Sequence, residues 1–495
     1  MNFAKIIEGH PGQSVALVNR GLVTTYGEMR EQVGRLRGGL SAIGIGKDDR
    51  VALLCGNSPY FVVSYLACLG IGAVVVPLNP ASPAVELQRE LQIVAARCVI
   101  VEPAAVSAWR NIDRKAVPSL ITVIATDGHE VESALTLSDL LNHEPAQIVE
   151  VEPIQLAVLM FTSGTAGAPR AAMLSHQNLN ANLRQLGAST LMSSSDVVYG
   201  VLPLFHIFGL NVMLGYTLFV GASVVLVQRF DPVTALETFV ERKVTVVPGA
   251  PSVWSAFAQL PGLDADSFAG IRIALTGAAK MPEDVTRLFQ ERFGLNIYEG
   301  YGLTEASPVV SMSIGREFKV GSIGQVLPGV EVRLVDENGE DALSGDAGEL
   351  WVRGENVFTG YLDDAHATAR VLTPDGWLRT GDVAVIDDEG YAFLVDRVKD
   401  LIIVSGFNVY PAEVETVLRS HPQIVDAAVV GVAHPHTGEA VRAFVVPSPL
   451  VHLDEDAIIE FCQGNLARYK CPSKVLIVDA LPVGSTGKVL RRSLH

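Results

Sequence analysis

Five cysteines in 495 residues, Cys55, Cys68, Cys98, Cys462 and Cys471, show no C-x-x-C spacing, and their odd number leaves neither a complete disulfide framework nor a structural zinc site. A reducing compartment is implied, and the chain is expected in the cytoplasm. Positive charge is scarce as well: 37 Lys+Arg against 54 Asp+Glu give a net charge of −17, which points away from nucleic acid as a partner. The shortage is uneven, because from Leu401 onward eight basic residues nearly match nine acidic ones. No apolar core of signal-peptide length follows Met1, so secretion is not expected. One stretch lacks charge altogether, Val51 to Val85, yet Gly70, Gly72, Pro77, Pro80 and Pro83 interrupt it. It reads as a strand, a buried helix and a second strand, so no transmembrane segment is expected. Peripheral membrane contact and oligomeric state are left open.

What is present is apolar mass. A hydrophobic content of 49% with 18% charged residues, in a chain too long for one core, predicts two or more globular domains. Tyr60 to Leu78 and Gly209 to Val227 share a pattern, an apolar helical run passing through Gly-Ala into a β-branched run, and this suggests two related α/β layers. Strands at Val51 to Leu54, Val99 to Val101, Val244 to Pro248 and Ile271 to Thr276 alternate with helical patterns such as Pro282 to Phe293, the texture of parallel sheets covered by helices. Beyond about Gly321 short alternating strands with glycine turns predict a smaller β-rich layer. Asp396-Arg397-Val398-Lys399-Asp400 then packs four charges between apolar strands and marks a boundary. The expected fold class is therefore α/β: a large N-terminal domain of two α/β layers plus a small β-rich layer, residues 1–397, and a small α+β C-terminal domain, residues 398–495.

Chemistry concentrates first in Thr162-Ser163-Gly164-Thr165-Ala166-Gly167-Ala168-Pro169-Arg170, directly after the apolar run Leu156 to Phe161. Glycines let successive backbone N–H groups approach an anion, hydroxyls donate to it, and Arg170 supplies fixed positive charge, so the stretch reads as a polyphosphate loop. It lacks the Gly-Lys-Ser/Thr ending of P-loop ATPases. It resembles the T-S-G-T-T-G-x-P-K-G signature of the acyl-adenylate-forming superfamily, and most closely the branch of acyl-CoA synthetases. Ala166, Arg170 and Ala171 stand where Thr, Lys and Gly are usual, which removes a hydroxyl, turns the charge into a planar fork and restricts the backbone.

Further motifs carry the same resemblance. Glu299-Gly300-Tyr301-Gly302-Leu303-Thr304-Glu305 matches Y-G-x-T-E, which implies Tyr301 against adenine, Thr304 on phosphate and Glu305 as a hard oxygen ligand for Mg²⁺, with Thr162 as a second metal contact. Thr276-Gly277-Ala278-Ala279 implies an adenine wall. Trp377-Leu378-Arg379-Thr380-Gly381-Asp382 resembles W-x-x-T-G-D, which puts Asp382 on the ribose hydroxyls; Arg397 adds a ribose or phosphate contact and Lys399 falls on the pivot of a mobile C-terminal domain. Ser405-Gly406-Phe407 opens the segment that lines the thiol channel, and Lys488, in Gly487-Lys488 near the terminus, is the lysine implied to bridge the acid oxygen and the α-phosphate. Pro203-Leu204-Phe205-His206 borders the acyl pocket; His206 occupies the place where amino-acid-activating relatives carry Asp, so an amino acid is not the expected substrate.

The resemblance implies an ATP- and Mg²⁺-dependent acid–CoA ligase that forms acyl-AMP and pyrophosphate, then acyl-CoA and AMP. The apolar stretch Phe205 to Val227 adds the expectation of a medium- or long-chain fatty acid. Three alternatives stand beside it: a fatty-acyl-AMP ligase that stops at the adenylate or hands the acyl group to a carrier protein, an aryl-acid–CoA ligase, and a nucleotide-binding regulatory module without catalysis.

Overall fold

A computed structural model describes the chain except for residues 127–130, 163–168, 190–191, 337, 344, 398–401, 405–406, 410, 435–437, 450, 452, 467–469, 484–488 and 495, and the side chains at 396, 397, 403, 407, 408 and 492. Two compact units emerge, Met1–Glu331 with Val352–Leu378, and Val332–Trp351 with Arg379–His495.

The first unit holds two sheets. In one, the order is Leu135–Thr136, Thr122–Ala125, Cys98–Val101, Arg50–Leu54, Val74–Pro77, Leu156–Thr162 and Arg170–Ser175, parallel until the last strand, which turns back antiparallel. In the other, Ile297–Gly302, Ile273–Thr276, Val246–Gly249, Val197–Gly200, Ser223–Leu226 and Val15–Asn19 lie side by side in parallel. Parallel strands need crossovers that cover both faces, so they read as continuous Val/Ile/Leu runs. Val74–Pro77 and Ser223–Leu226 are buried at every residue.

The charge-free stretch resolves as expected. Pro59–Gly70 is a helix with Pro at its first turn, capped by Ser58, whose hydroxyl accepts from Phe61 N–H at 3.1 Å. It is buried along almost its full length, and among the described residues no helix is long and apolar enough to cross a membrane. The repeated pattern also resolves twice: Gly72 and Gly221, at φ 74 and 78, turn each helical run into its strand, a backbone region open to glycine without strain. One difference is that Phe208–Tyr216 winds as a π-helix before Thr217–Val220.

Aromatic residues make up only 7% of the chain, yet Trp254, Phe257, Phe268, Phe289 and Phe293 gather against the second sheet with ring centroids 5.0 to 6.1 Å apart. These tilted and edge-on contacts suit the ring quadrupole.

The second unit contains most of the small β-rich layer, ordered Val330–Val335, Gly348–Gly354, Leu378–Ile386 and Tyr391–Arg397, of which residues 330–331, 352–354 and 378 belong to the first. It also contains a sheet of Ile402–Val404, Phe407–Val409, Ile424–His434, Gly438–Pro447 and Lys474–Ile477, packed by the helices Pro411–Arg419 and Glu455–Asn465. Leu378–Ile386 and Tyr391–Arg397 pair antiparallel, with Asp382 opposite Arg397.

The N-terminus of the first unit is tied to its interior. Asn2 donates to the carbonyls of Leu69 (2.8 Å) and Val149 (3.0 Å), and Phe3 N–H donates to His176 Nδ1 at 3.1 Å. His176 is fully buried, and burial, helped by the nearby N-terminal ammonium, lowers its pKa from 6.5 to about 4. The unfolded chain therefore binds one more proton between those values, so the stabilisation is complete above about pH 6.5 and is lost as pH falls toward 4. The loss is about 3 kcal/mol. Glu90 and Glu299, both pushed up to about 7 by burial, titrate in this window with the opposite sign. The comparison is therefore between variants: urea unfolding from pH 7 to 4 should show His176→Gln, which keeps an acceptor for Phe3 N–H, falling less steeply than the unsubstituted protein. Parallel profiles would contradict this account.

Candidate active site

Three parallel strands share one register: Gly249 lies opposite Thr276, and Thr276 opposite Glu299. The first two end there, at the edge where α/β sheets bind ligands, while the third runs on to Gly302. After Thr276, Gly277 comes so close to its neighbours that a Cβ there would sit 3.2 Å from the Gly300 carbonyl and 3.5 Å from the Phe208 ring. Ala278 follows at φ 70, an uncommon conformation for a residue with a Cβ. Gly300 pairs with Met312 and Gly302 with Val309, with a bulge between Tyr301 and Gly302, and any side chain at Gly302 would strike the Pro308 carbonyl. Glu299 is buried, and that burial raises its carboxyl to about 7 although Met281 N–H donates to it at 3.4 Å.

A second edge meets the phosphate loop. Thr162 and Arg170 are opposite each other in the antiparallel pair Leu156–Thr162 and Arg170–Ser175 and so bracket the loop, whose Ser163, Gly164, Thr165 and Gly167 lie outside the described residues. Ala171 sits in that regular strand, where extended backbone needs no glycine, so this departure from the signature costs no strain. The segment 359–362 runs alongside: Met173 N–H donates to Gly360 O and Leu362 N–H to Ala171 O, both at 2.9 Å. Tyr361 is thereby delivered to Glu305, and its hydroxyl donates to Glu305 Oε1 at 2.6 Å. Burial, and then the Glu305 carboxylate, push the phenol's pKa well up, so it stays a donor. Arg170 Nε donates to Asp364 Oδ2 at 3.0 Å, and its guanidinium lies 5.9 Å from the Tyr361 ring centre. Asp364 also caps the helix Ala365–Val371, accepting from Ala367 N–H at 2.8 Å.

Tyr361 and Asp364 are not legible in the sequence as site residues. Nothing in their spacing signals them; only the added strand brings them to the loop. Thr304 and Glu305 lie in a short 3₁₀ turn. The chemistry of the donor set suits Mg²⁺, which takes one or two carboxylates and completes its shell with phosphate and water. Glu305, oriented by Tyr361, is such a carboxylate, and among the described residues no cluster of three His, Cys, Asp or Glu competes with it.

Phe205 and His206 begin the turn into the π-helix, where His206 Nδ1 accepts from Phe208 N–H at 3.3 Å, which leaves the ring proton on Nε2. The ring placed against Gly277 is that of Phe208, a residue that the motif pattern does not single out. Below the strand ends lies an enclosed cavity lined by Val212, Met213, Tyr216, Pro248, Leu275 and Met312 among others, with free space of about 20 Å³. Pro248 and Leu275 immediately precede Gly249 and Thr276. In the second unit Asp382 is buried on the strand Leu378–Ile386. Arg397 is placed opposite it in the neighbouring strand, its side chain outside the described set. Phe407 opens the strand Phe407–Val409, also without a described side chain, and Lys399, Ser405, Gly406 and Lys488 lie outside the described residues.

A family profile described as AMP-binding enzyme matches residues 3–362, and one described as AMP-binding enzyme C-terminal domain matches residues 413–488. The chain belongs to the AMP-binding enzymes. Relatives include feruloyl-CoA synthase of Amycolatopsis sp, 36% identical over 97% of this chain and 94% of its own. A 4-coumarate–CoA ligase of Oryza sativa subsp. japonica is 33% identical over 99% of this chain and 88% of its own. Among solved structures, ATP-bound MatB from Rhodopseudomonas palustris aligns with a TM-score of 0.93 and 32% identity, covering 100% of this chain and 98% of that one. The anthranilate CoA ligase AuaEII with anthranoyl-AMP aligns at 0.91 and 25% identity, covering 100% and 96%. The expected fold class and the reading as an adenylate-forming enzyme of the acid–thiol ligase class both hold for this AMP-binding enzyme.

Arg170, held by Asp364 at the mouth of the loop, keeps the positive charge of the usual lysine. In this AMP-binding enzyme Arg170→Lys should retain activity, whereas Arg170→Ala should raise the KM for ATP or lower turnover by about tenfold or more. Unchanged ATP kinetics in Arg170→Ala would remove the residue from the site.

Proposed function

We propose that the protein is an ATP-dependent aryl-acid–CoA ligase working through an acyl-adenylate. The acid's carboxylate oxygen attacks the α-phosphorus of ATP and pyrophosphate leaves; the CoA thiol then attacks the acyl carbon and AMP leaves. Thr162, Arg170 and the loop 163–168 take the phosphates, Tyr301 and the wall at Gly277 take adenine, and Asp382 accepts from the ribose hydroxyls. Glu305, aligned by Tyr361, would hold Mg²⁺, which supplies charge neutralisation on the phosphates when bound. Lys399 as pivot, the residues from Ser405 to Phe407 at the thiol channel and Lys488 at the α-phosphate keep the roles their motifs imply.

The observation that carries the choice of acid is the cavity directly beneath the strand ends. Its lining is almost wholly apolar, which favours an uncharged acid body, and its free space of about 20 Å³ is room for about one water. Any acid body entering there must displace lining side chains, of which Met213 and Met312 are the most adaptable. The names of the relatives, built on ferulate, coumarate and anthranilate, support the same class. A medium- or long-chain fatty acid is the second reading, favoured by those two adaptable methionines.

Pyrophosphate release with a panel of benzoic and phenylpropenoic acids against saturated acids of graded length separates the two. The expected outcome is a kcat/KM for the best aryl acid at least about tenfold above that of any saturated acid. The reverse order would favour the fatty-acid reading, and pyrophosphate release without any CoA-dependent thioester would favour a ligase that stops at the adenylate.

A further inference from the structure

Within the strand Leu378–Ile386, Asp382 follows a local backbone turn at Gly381 that a neighbouring strand holds. Thr380 Oγ1 donates to the Leu350 carbonyl at 2.6 Å and accepts from Asp382 N–H at 3.1 Å, while Gly381 N–H donates to Glu349 Oε1 at 3.0 Å. Gly381 is at φ 71, so the turn has a backbone shape that its own residues do not enforce. The other carboxylate oxygen, Glu349 Oε2, accepts from Trp351 Nε1 at 2.8 Å. Trp351 is itself fixed between two cations, with Arg379 4.7 Å and Arg333 5.3 Å from its ring centre. All of these residues lie in the second unit. One carboxylate therefore joins a locked indole to the turn that aims Asp382.

From this juxtaposition we infer that Glu349 is a positioning residue for ribose recognition: it holds Gly381, and through it the Asp382 carboxylate, in the orientation that accepts from the 2′- and 3′-hydroxyls. The inference rests on the proposed ribose role of Asp382. It needs an ionised carboxylate, because both bonds are accepted and both donors are fixed N–H groups. Glutamine at 349 has the same shape but only one accepting atom, so it must present its NH₂ to either Trp351 or Gly381 and lose that bond.

The test compares ATP with 2′,3′-dideoxy-ATP in the full-length enzyme, by kcat/KM for pyrophosphate release, with thermal unfolding as a check on folding. The unsubstituted enzyme should prefer ATP by about tenfold or more, the scale of hydrogen bonds to a charged group. Glu349→Gln should reduce that preference toward unity, mainly through a raised KM for ATP. Trp351→Phe removes the competing donor and keeps a ring for the two arginines, so Glu349→Gln combined with Trp351→Phe should recover discrimination as the amide oxygen turns to Gly381. Full discrimination in Glu349→Gln, or no recovery in a folded double variant, overturns the inference alone. An unsubstituted enzyme that does not discriminate, with Asp382→Asn behaving like it, overturns the ribose role and the inference with it.

Discussion

The register of three parallel strands, Gly249 opposite Thr276 opposite Glu299, is the constraint on which the first unit's site depends. Parallel strands all finish at the same edge, and their helices must cover both faces to bury the Val/Ile runs. The residues at this edge are therefore held in a crowded strip. Gly302 admits no side chain against the Pro308 carbonyl, and Gly277 is closely approached by the Gly300 carbonyl and the Phe208 ring. The same crowding buries Glu299, and that burial raises its carboxyl well above the usual carboxylate range. The apolar cavity is the underside of this strip, because Pro248 and Leu275 are the preceding residues of the same strands.

The phosphate side is built differently. An antiparallel return, Arg170–Ser175, brackets the loop, and the segment 359–362 adds to its outer edge through Met173 and Ala171. Main-chain pairing over these few residues sets Tyr361 against Glu305 and Asp364 against Arg170. The Arg170 guanidinium and the Glu305 carboxylate are both oriented by partners distant in sequence, Asp364 for Arg170 and Tyr361 for Glu305. In the second unit the stretch from Thr380 to Asp382 is braced likewise, from Glu349 and Leu350 on the adjoining strand.

Much of this is legible in the sequence because local chemistry and local geometry coincide. The parallel strands announce themselves as unbroken β-branched runs, the helix Pro59–Gly70 by its Ser-Pro start, and the loop by its glycines and hydroxyls. The features that escape such reading depend on contacts between distant segments. Tyr361 is one aromatic in an unremarked Gly-Tyr pair, and Glu349 one of many surface-patterned acids, until a strand register places them. Phe208 escapes for another reason: π-helical winding changes which side of the run Phe208–Tyr216 faces the strand ends, and a periodicity of 3.6 does not anticipate it.

These features converge on one chemical event, transfer of the acid's oxygen to the α-phosphorus. With an aryl acid labelled with ¹⁸O in its carboxylate, a full turnover with ATP and CoA should give AMP carrying one labelled oxygen and thioester retaining the other, with unlabelled pyrophosphate. Label absent from AMP, or present in pyrophosphate, would contradict the adenylate route and with it the assignment of this site.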